Sequence, residues 1–301
     1  MPTPLSLADR ARGTLLGLAA GNALGLPAEP LRSADAIRAR WPDGLTEVLR
    51  QDTAASPYDD DVALAIILAE ELVQPDVDLR RLAHRWVAWA RDDGRGIGDW
   101  TRTALAHLAT HDSPPAESGG RATNGAVSRC LPVALRTFGS PRNLVSGTLH
   151  TAALTHPDPR CGWSAVAVNV AAACFLRGRR DFVPEVIEAL RANEADAAVL
   201  DAVRRVPLLR RDELGIAGAA PNDAVTCMTV ALWFAHHEPL LERGLVAIVA
   251  AGGDTDTNAG VAGGLMGARD GIRAIPARWL AQIPGTAELE QLALALAGVE
   301  R

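Results

Sequence analysis

Apolar residues recur along most of this chain at three- and four-residue intervals, or gather in long Ala-rich runs. Such spacing places them on one face of a helix. The pattern predicts helices over residues 10–25, 61–73, 79–91, 100–110, 124–138, 160–177, 183–192, 195–205, 223–237, 240–251 and 258–268. Alternating Val/Ile/Thr segments that would read as strands are essentially missing. Gly, Pro and Ser mark loops at 92–98, 112–123 and 215–223. With no internal repeat and no linker, the expectation is a single compact all-α domain over residues 1–301. No sheet of more than two short strands is expected.

Composition sharpens that picture. Of 301 residues 48% are hydrophobic, enough for a large core and too many for a disordered chain. Only 4% are aromatic, and Trp supplies seven of them. Trp86, Trp89, Trp163 and Trp233 fall at helical spacing and read as core, not as a platform for a flat ligand. Thirty basic against 36 acidic residues give a net charge of −6 with no basic block, which argues against a nucleic-acid partner. Acid-rich pockets that hold cations are the more natural expectation. Cys130, Cys161, Cys174 and Cys227 form no C-x-x-C pair and read as reduced, buried thiols. Charged residues at the start of the chain do not suit a signal peptide, and the longest apolar run, 161–176, is too short for a bilayer. A soluble, cytoplasmic, monomeric protein is expected, with no membrane partner.

Two glycine series stand out. Gly13, Gly17, Gly21 and Gly25 fall every fourth residue, and Gly260 with Gly264, then Gly263 with Gly267, repeat the spacing near the end. An interior glycine costs a helix about 1 kcal/mol relative to Ala. Such a stripe therefore reads as tight helix packing, and close backbone approach would bring both helix starts to one shared site.

Two acidic clusters stand directly before helical patterns. The first is Asp59-Asp60-Asp61; the second is Asp254-Thr255-Asp256-Thr257. One Asp at such a position is explained by helix capping. Three adjacent carboxylates repel one another and ask for a cation. Asp254 and Asp256 point the same way if their segment is extended, and Thr257 adds a hydroxyl oxygen. Hard oxygen donors of this kind suit Mg²⁺ or Mn²⁺ and not zinc. Carboxylates from two separate segments are what a two-metal site needs.

In chain order stand GTLLGLAAGNALGLPAE, YDDDVALAIILAEEL, ATNGAVSRCLPVAL and AGGDTDTNAGVAGGLMGA. Together they resemble the ADP-ribosylglycohydrolase family across roughly residues 10–271. The resemblance implies an all-α fold, two divalent cations (Mg²⁺ or Mn²⁺), and hydrolysis at the anomeric carbon of an ADP-ribosyl group. The substrate would carry ADP-ribose, an ADP-ribosylated protein among the candidates. It implies metal ligands at Asp59, Asp60, Asp61, Asp254, Asp256 and Thr257. It places Glu29 beside the substrate ribose, and Asn124, Gly125, Ala126 and His156 near the diphosphate. The family's T-D-D-T element falls on Asp59 to Val62, so both flanking threonines are replaced. Asp59 in place of Thr adds a negative charge, and Asn22 stands where many relatives have Asp, a position read as helix packing.

The proton acceptor for the attacking water would be Asp60 or Asp61, with Glu29 positioning the substrate or assisting the transfer. Two other readings stay open. A relative that binds ADP-ribose or serves as a scaffold without turnover would be consistent with the changes at Asp59 and Val62. His84, His107 and the His111-Asp112 doublet suggest a metal phosphohydrolase of the HD type, although the doublet runs into Ser113-Pro114-Pro115, a loop signature.

Overall fold

A computed structural model describes residues 5–49, 58–218 and 220–299. Its α-helices, in chain order, begin with α1 (Leu7–Gly25), α2 (Ala34–Arg40), α3 (Asp60–Leu72), α4 (Leu79–Asp92), α5 (Asp99–His111) and α6 (Gly125–Ser128). There follow α7 (Leu131–Thr137), α8 (Pro141–Ala153), α9 (Pro159–Leu176), α10 (Val183–Ala192) and α11 (Ala197–Arg205). The last are α12 (Ala224–His237), α13 (Leu241–Ala251), α14 (Thr255–Asp270), α15 (Ala277–Leu280) and α16 (Thr286–Leu296). Among the described residues the only extended pairings are single antiparallel bridges, Ser33 with Gly252 and Thr123 with Asp223. The all-α expectation holds. No helix described is long and apolar enough to cross a membrane.

Several helix starts follow ordinary capping chemistry. Ser6 and Asp9 form a reciprocal capping box on α1, and Asp78, Asp158, Asp196 and Asp223 each accept a backbone N–H at the start of their helix. The Ala-rich α9 is buried almost all round and packs against α7, α8, α10, α12 and α14, so it forms the hub of the core. All four cysteines are buried.

The glycine stripes pair with each other. α1 lies antiparallel along α14, with Gly13, Gly17, Gly21 and Gly25 facing Gly267, Gly263, Ala259 and Thr255. A Cβ added at Gly17 would lie 2.2 Å from the Gly263 carbonyl oxygen, and one at Gly267 only 1.9 Å from that of Gly13. The two backbones are in direct contact, which only glycine permits. Thr255 Oγ1 donates to the Gly25 carbonyl at 2.9 Å, adding to the Ala28 N–H that the same oxygen accepts and tying the C-terminal end of α1 to the start of α14. The antiparallel register corrects one expectation: the end of α1, not its start, meets the start of α14.

Other departures have local causes. The segment expected as one helix over 124–138 is split into α6 and α7, with Pro132 in the first turn of α7, where its missing N–H costs nothing. α8 was not foreseen because Ser146, Gly147, Thr148 and Thr151 blur its apolar period. Its threonines are accommodated by bonding back, Thr148 Oγ1 to the Leu144 carbonyl at 2.6 Å and Thr151 Oγ1 to the Gly147 carbonyl at 2.9 Å. The helices α2, α15 and α16 were missed as well.

The glycine contact makes a direct stability prediction. Gly17→Val must force α1 and α14 apart and should cost roughly 1–3 kcal/mol or more. Gly139→Ala, where an added Cβ meets nothing within 4 Å, should be close to neutral. Chemical denaturation of the two variants beside the wild type measures both; an unchanged midpoint for Gly17→Val contradicts the packing account.

Candidate active site

Three chain segments converge where α1 ends and where α3 and α14 begin. Asp59 and Asp254 occupy the N-cap positions of α3 and α14, yet neither side chain makes a capping hydrogen bond. The Asp59 carboxylate lies close enough to the Asp61 and Val62 amides to feel them, but both carboxylates turn toward each other's cluster. One carboxylate oxygen from each of Asp59, Asp61 and Asp256 lies within 4.8 Å of the other two, and the same holds for Glu29, Asp254 and Asp256. Asp256 belongs to both groups. This is the geometry of two adjacent oxygen-donor sites sharing a carboxylate.

Few protein donors reach these oxygens. Asn22 Nδ2, on α1, donates to Asp59 Oδ2 at 3.0 Å and more weakly to Asp61 Oδ2 at 3.4 Å. Thr257 Oγ1 donates to Asp61 Oδ2 at 2.8 Å, and Asn124 Nδ2 to Asp254 Oδ2 at 2.7 Å. Arg32 reaches Glu29 at 2.9 Å and Asp254 at 3.6 Å from the rim. Among the described residues, Asp59 Oδ1 and Asp256 Oδ1 are buried with no hydrogen-bond partner. Burying an anionic oxygen unpaired is costly, so these two atoms fit a divalent cation as the missing partner, and the all-oxygen donor set fits a hard one.

Burial and mutual repulsion push the same carboxyls toward their neutral form. Burial raises Asp59 above the carboxylate range, while burial and then the neighbouring carboxylates raise Asp60 and Asp256 well above it. Burial, with the charges of Asp59 and Asp254, pushes Asp61 up to about 8. Glu29, half-buried, is raised by burial against the opposing pull of Arg32. A compensating positive charge would reverse this, since an opposite charge nearby favours the ionised form.

The carboxylates line one wall of a pocket of about 430 Å³ whose other residues include Gly96, Trp100, Thr101, Arg121, Thr123, Asn124 and Gly125. The Asn124 side chain is tied to Asp254, and its N–H donates to the Asn222 carbonyl at 2.9 Å. The N–H groups of Gly125 and Ala126 open α6 and have no backbone acceptor among the described residues, as is usual for the first amides of a helix. A Cβ at Gly125 would come within 3.0 Å of His156 and of Thr101 Oγ1. α6 is only four residues long, so the dipole of a long helix, expected for 124–138, is not available to help hold a phosphate.

The structure thus brings Glu29, Asp60, Asp61, Asn124, Gly125, Asp254, Asp256 and Thr257 to one pocket, with Asp59 buried behind Asp61 and Asp256 and grouped with them. Asp60 lines it and belongs to neither three-oxygen group. Ala126 and His156 do not line it; His156 is buried behind Thr123, whose hydroxyl it meets at 3.0 Å. Val62 points into the core. Asn22, read from the sequence as helix packing, is instead the donor that bridges Asp59 and Asp61. Sequence reasoning also missed Trp100, with Arg121 over its ring at 5.8 Å, and Arg32. The glycines at 94, 96 and 98 before Trp100 were the available signal for a loop held against a ligand. The histidine cluster carries nothing: His84 pairs with Asp112 at 2.8 Å and His107 stacks on His111, away from the pocket.

The ADP-ribosylglycohydrolase family matches residues 3–301. The chain is 28% identical to the ADP-ribosyl-(dinitrogen reductase) glycohydrolase of Rhodospirillum rubrum, over 98% of this chain and 99% of that protein. It is 27% identical to the ADP-ribosylhydrolase ARH3 of Danio rerio, over 96% of this chain and 90% of that one. A solved structure described as an ADP-ribosylglycohydrolase-related protein complex superposes with a TM-score of 0.76 at 28% identity, covering 98% of this chain and 99% of the other. With the helical fold, the paired carboxylate groups and a match running almost end to end, this chain belongs to the ADP-ribosylglycohydrolase family.

Proposed function

We propose that the protein is a divalent-metal-dependent hydrolase that cleaves the bond between the anomeric carbon of an ADP-ribosyl group and its substituent, releasing ADP-ribose. The observation that carries this reading is the pair of three-oxygen groups sharing Asp256, set beside a pocket that Asn124 and Gly125, at the start of α6, also line. Asp59, Asp61 and Asp256 would hold one cation and Glu29, Asp254 and Asp256 the other, with Thr257 supplying a further oxygen and Mg²⁺ or Mn²⁺ as the ions. Bound there, such ions supply Lewis acidity toward ribose hydroxyls and toward a water.

The chain's own residues divide the remaining work. The Gly125–Ala126 amides orient the diphosphate, which fixes the proximal ribose over the carboxylates. Asp60, facing the pocket outside both groups, accepts the proton of the water that attacks the anomeric carbon. Glu29, raised by burial, hydrogen-bonds the ribose and can pass a proton to the departing group. The carboxylates also favour the positive charge that grows on the ribose ring as the bond breaks. Water adds to the anomeric carbon, the substituent leaves with a proton, and free ADP-ribose remains.

A panel of ADP-ribosyl conjugates (on arginine, serine, acetyl, a nucleobase or a small molecule), assayed for ADP-ribose release with Mg²⁺ or Mn²⁺, tests the reading. Release from at least one conjugate is expected. ADP-ribose binding with no release from any would leave a binding relative without turnover.

The two roles given to aspartates separate by measurement. Cations should raise the melting temperature of the EDTA-treated protein, by the equivalent of about 2.7 kcal/mol at a concentration one hundred times Kd. Asp256→Asn, in both groups, should lose that stabilisation and all turnover. Asp60→Asn should keep most of the stabilisation and lose turnover on the order of 10²–10⁴-fold. Full turnover in Asp256→Asn would refute the site.

Asn22 and Asp59 revise the charge expected from the sequence. Both positions depart from the family pattern, Asn for Asp and Asp for Thr, and they touch each other at 3.0 Å. A carboxylate and a hydroxyl have become an amide and a carboxylate, so the negative charge is transposed across one hydrogen bond and not added. The double variant Asn22→Asp with Asp59→Thr should therefore restore cation affinity and apo stability better than either single change. A double-mutant cycle should give a coupling of about 1 kcal/mol or more; strict additivity would show that the pair acts independently.

A further inference from the structure

Arg129 lies directly after α6, 2% exposed, with no carboxylate within ion-pair distance among the described residues. Burial pulls its guanidinium down to about 10, with the charges of Asp60 and Asp61 opposing that fall. A buried cation without a bonded anion is expensive unless its donors and its face are satisfied. Here they are. One Nη donates to the Gly125 carbonyl, the other to Thr155 Oγ1, and the guanidinium sits 4.5 Å from the centre of the Trp86 ring, which is itself fully buried.

These contacts reach the pocket from behind. The Gly125 carbonyl belongs to the peptide whose N–H is that of Ala126, and the two point in opposite directions across a planar trans unit. Holding the carbonyl inward therefore turns the free N–H outward. The second branch runs from Thr155 Oγ1 to His156 Nδ1 at 2.7 Å, and from His156 Nε2 to Thr123 Oγ1 at 3.0 Å, where Thr123 lines the pocket. The Thr155 carbonyl accepts from Trp100 Nε1 at 2.9 Å, and Trp100 lines it too. Burial, then Arg129, holds His156 well below the ordinary histidine range, so it stays neutral and can only relay hydrogen bonds. Three pocket elements, the Gly125 peptide, Thr123 and Trp100, are thus tied to one guanidinium.

We propose that Arg129 is the positioning residue for the anionic part of the ligand. It fixes the wall that faces the diphosphate and sets a buried positive charge behind that wall, close enough to Asp60 and Asp61 for the charges to interact. A phosphate-bearing ligand has to lie beside a strongly acidic cluster, and Arg129 is the cation placed to offset that repulsion without entering the pocket. The proposal rests on ADP-ribose being the ligand, as inferred above.

Its signature is an opposite response of anion and cation. Arg129→Met keeps much of the apolar stem and removes charge and donors. ADP-ribose should bind it about tenfold or more weakly, equivalent to roughly 1.4 kcal/mol, while Mg²⁺ or Mn²⁺ binds as tightly as before or more tightly. Arg129→Lys keeps the charge but cannot fork to two acceptors, and should recover part of the ADP-ribose affinity. In turnover, KM should rise more than kcat falls. Calorimetric titration of each folded variant with cation alone, then with ADP-ribose, reads these quantities. ADP-ribose affinity unchanged in Arg129→Met overturns the proposal. So does a parallel loss of cation and ADP-ribose in both variants, which marks collapse of the wall and not positioning. Wild-type protein that binds no ADP-ribose fails the functional reading itself, a result that Arg129 variants cannot produce.

Discussion

The direct backbone contact between α1 and α14 is the constraint on which the rest depends. Glycine on both helices lets them approach until carbonyl oxygens of one touch the α-carbons of the other. A side chain in place of any of the paired glycines would push the axes apart. The contact fixes an antiparallel register, and the register decides what stands at its end: Asn22 and Gly25 from one helix, Asp254 to Thr257 from the other. Into that corner α3 brings Asp59 to Asp61. The acidic site is thus an outcome of backbone geometry in a seam with no charge of its own.

The corner is held at a cost. Asp59 and Asp254 forgo the capping that Asp78, Asp158, Asp196 and Asp223 provide elsewhere in the same fold, worth about 1 kcal/mol per helix. Instead they join a buried set of like charges with two unpartnered oxygens. Aspartates at six helix starts share one local position and two fates. What separates them is whether a second acidic segment stands opposite, so the tertiary arrangement overrides the local preference.

This also explains how much was legible in the sequence. The fold class and most helices followed from apolar period, because the core is built from amphipathic and Ala-rich helices that obey it. α8 escaped because threonines satisfied by their own backbone hide its period. The acidic clusters were visible since three carboxylates in a row have no simple structural use. Their sharing of Asp256 was not, because it depends on the α1–α14 register. Asn22 looked like packing since its role lies in a contact 37 residues away. The resemblance placed His156 near the diphosphate, whereas its bonds to Thr155 and Thr123 set it behind the pocket's lining. Arg129 gave no signal, since a lone arginine among apolar residues says nothing about what its guanidinium reaches.

The seam has a consequence for how the molecule comes into being. The Thr255–Gly25 bond joins residues 230 positions apart and the Thr257–Asp61 bond residues 196 apart. Contacts of such long range carry a large loop-closure entropy and form late. During synthesis the first helix emerges with its glycine groove unfilled, and its partner is made only after some four-fifths of the chain. Until then its glycine face has to be kept from other surfaces, and neither three-oxygen group can form without Asp256. A chain cut before α14 would lack Asp256, and with it both three-oxygen groups.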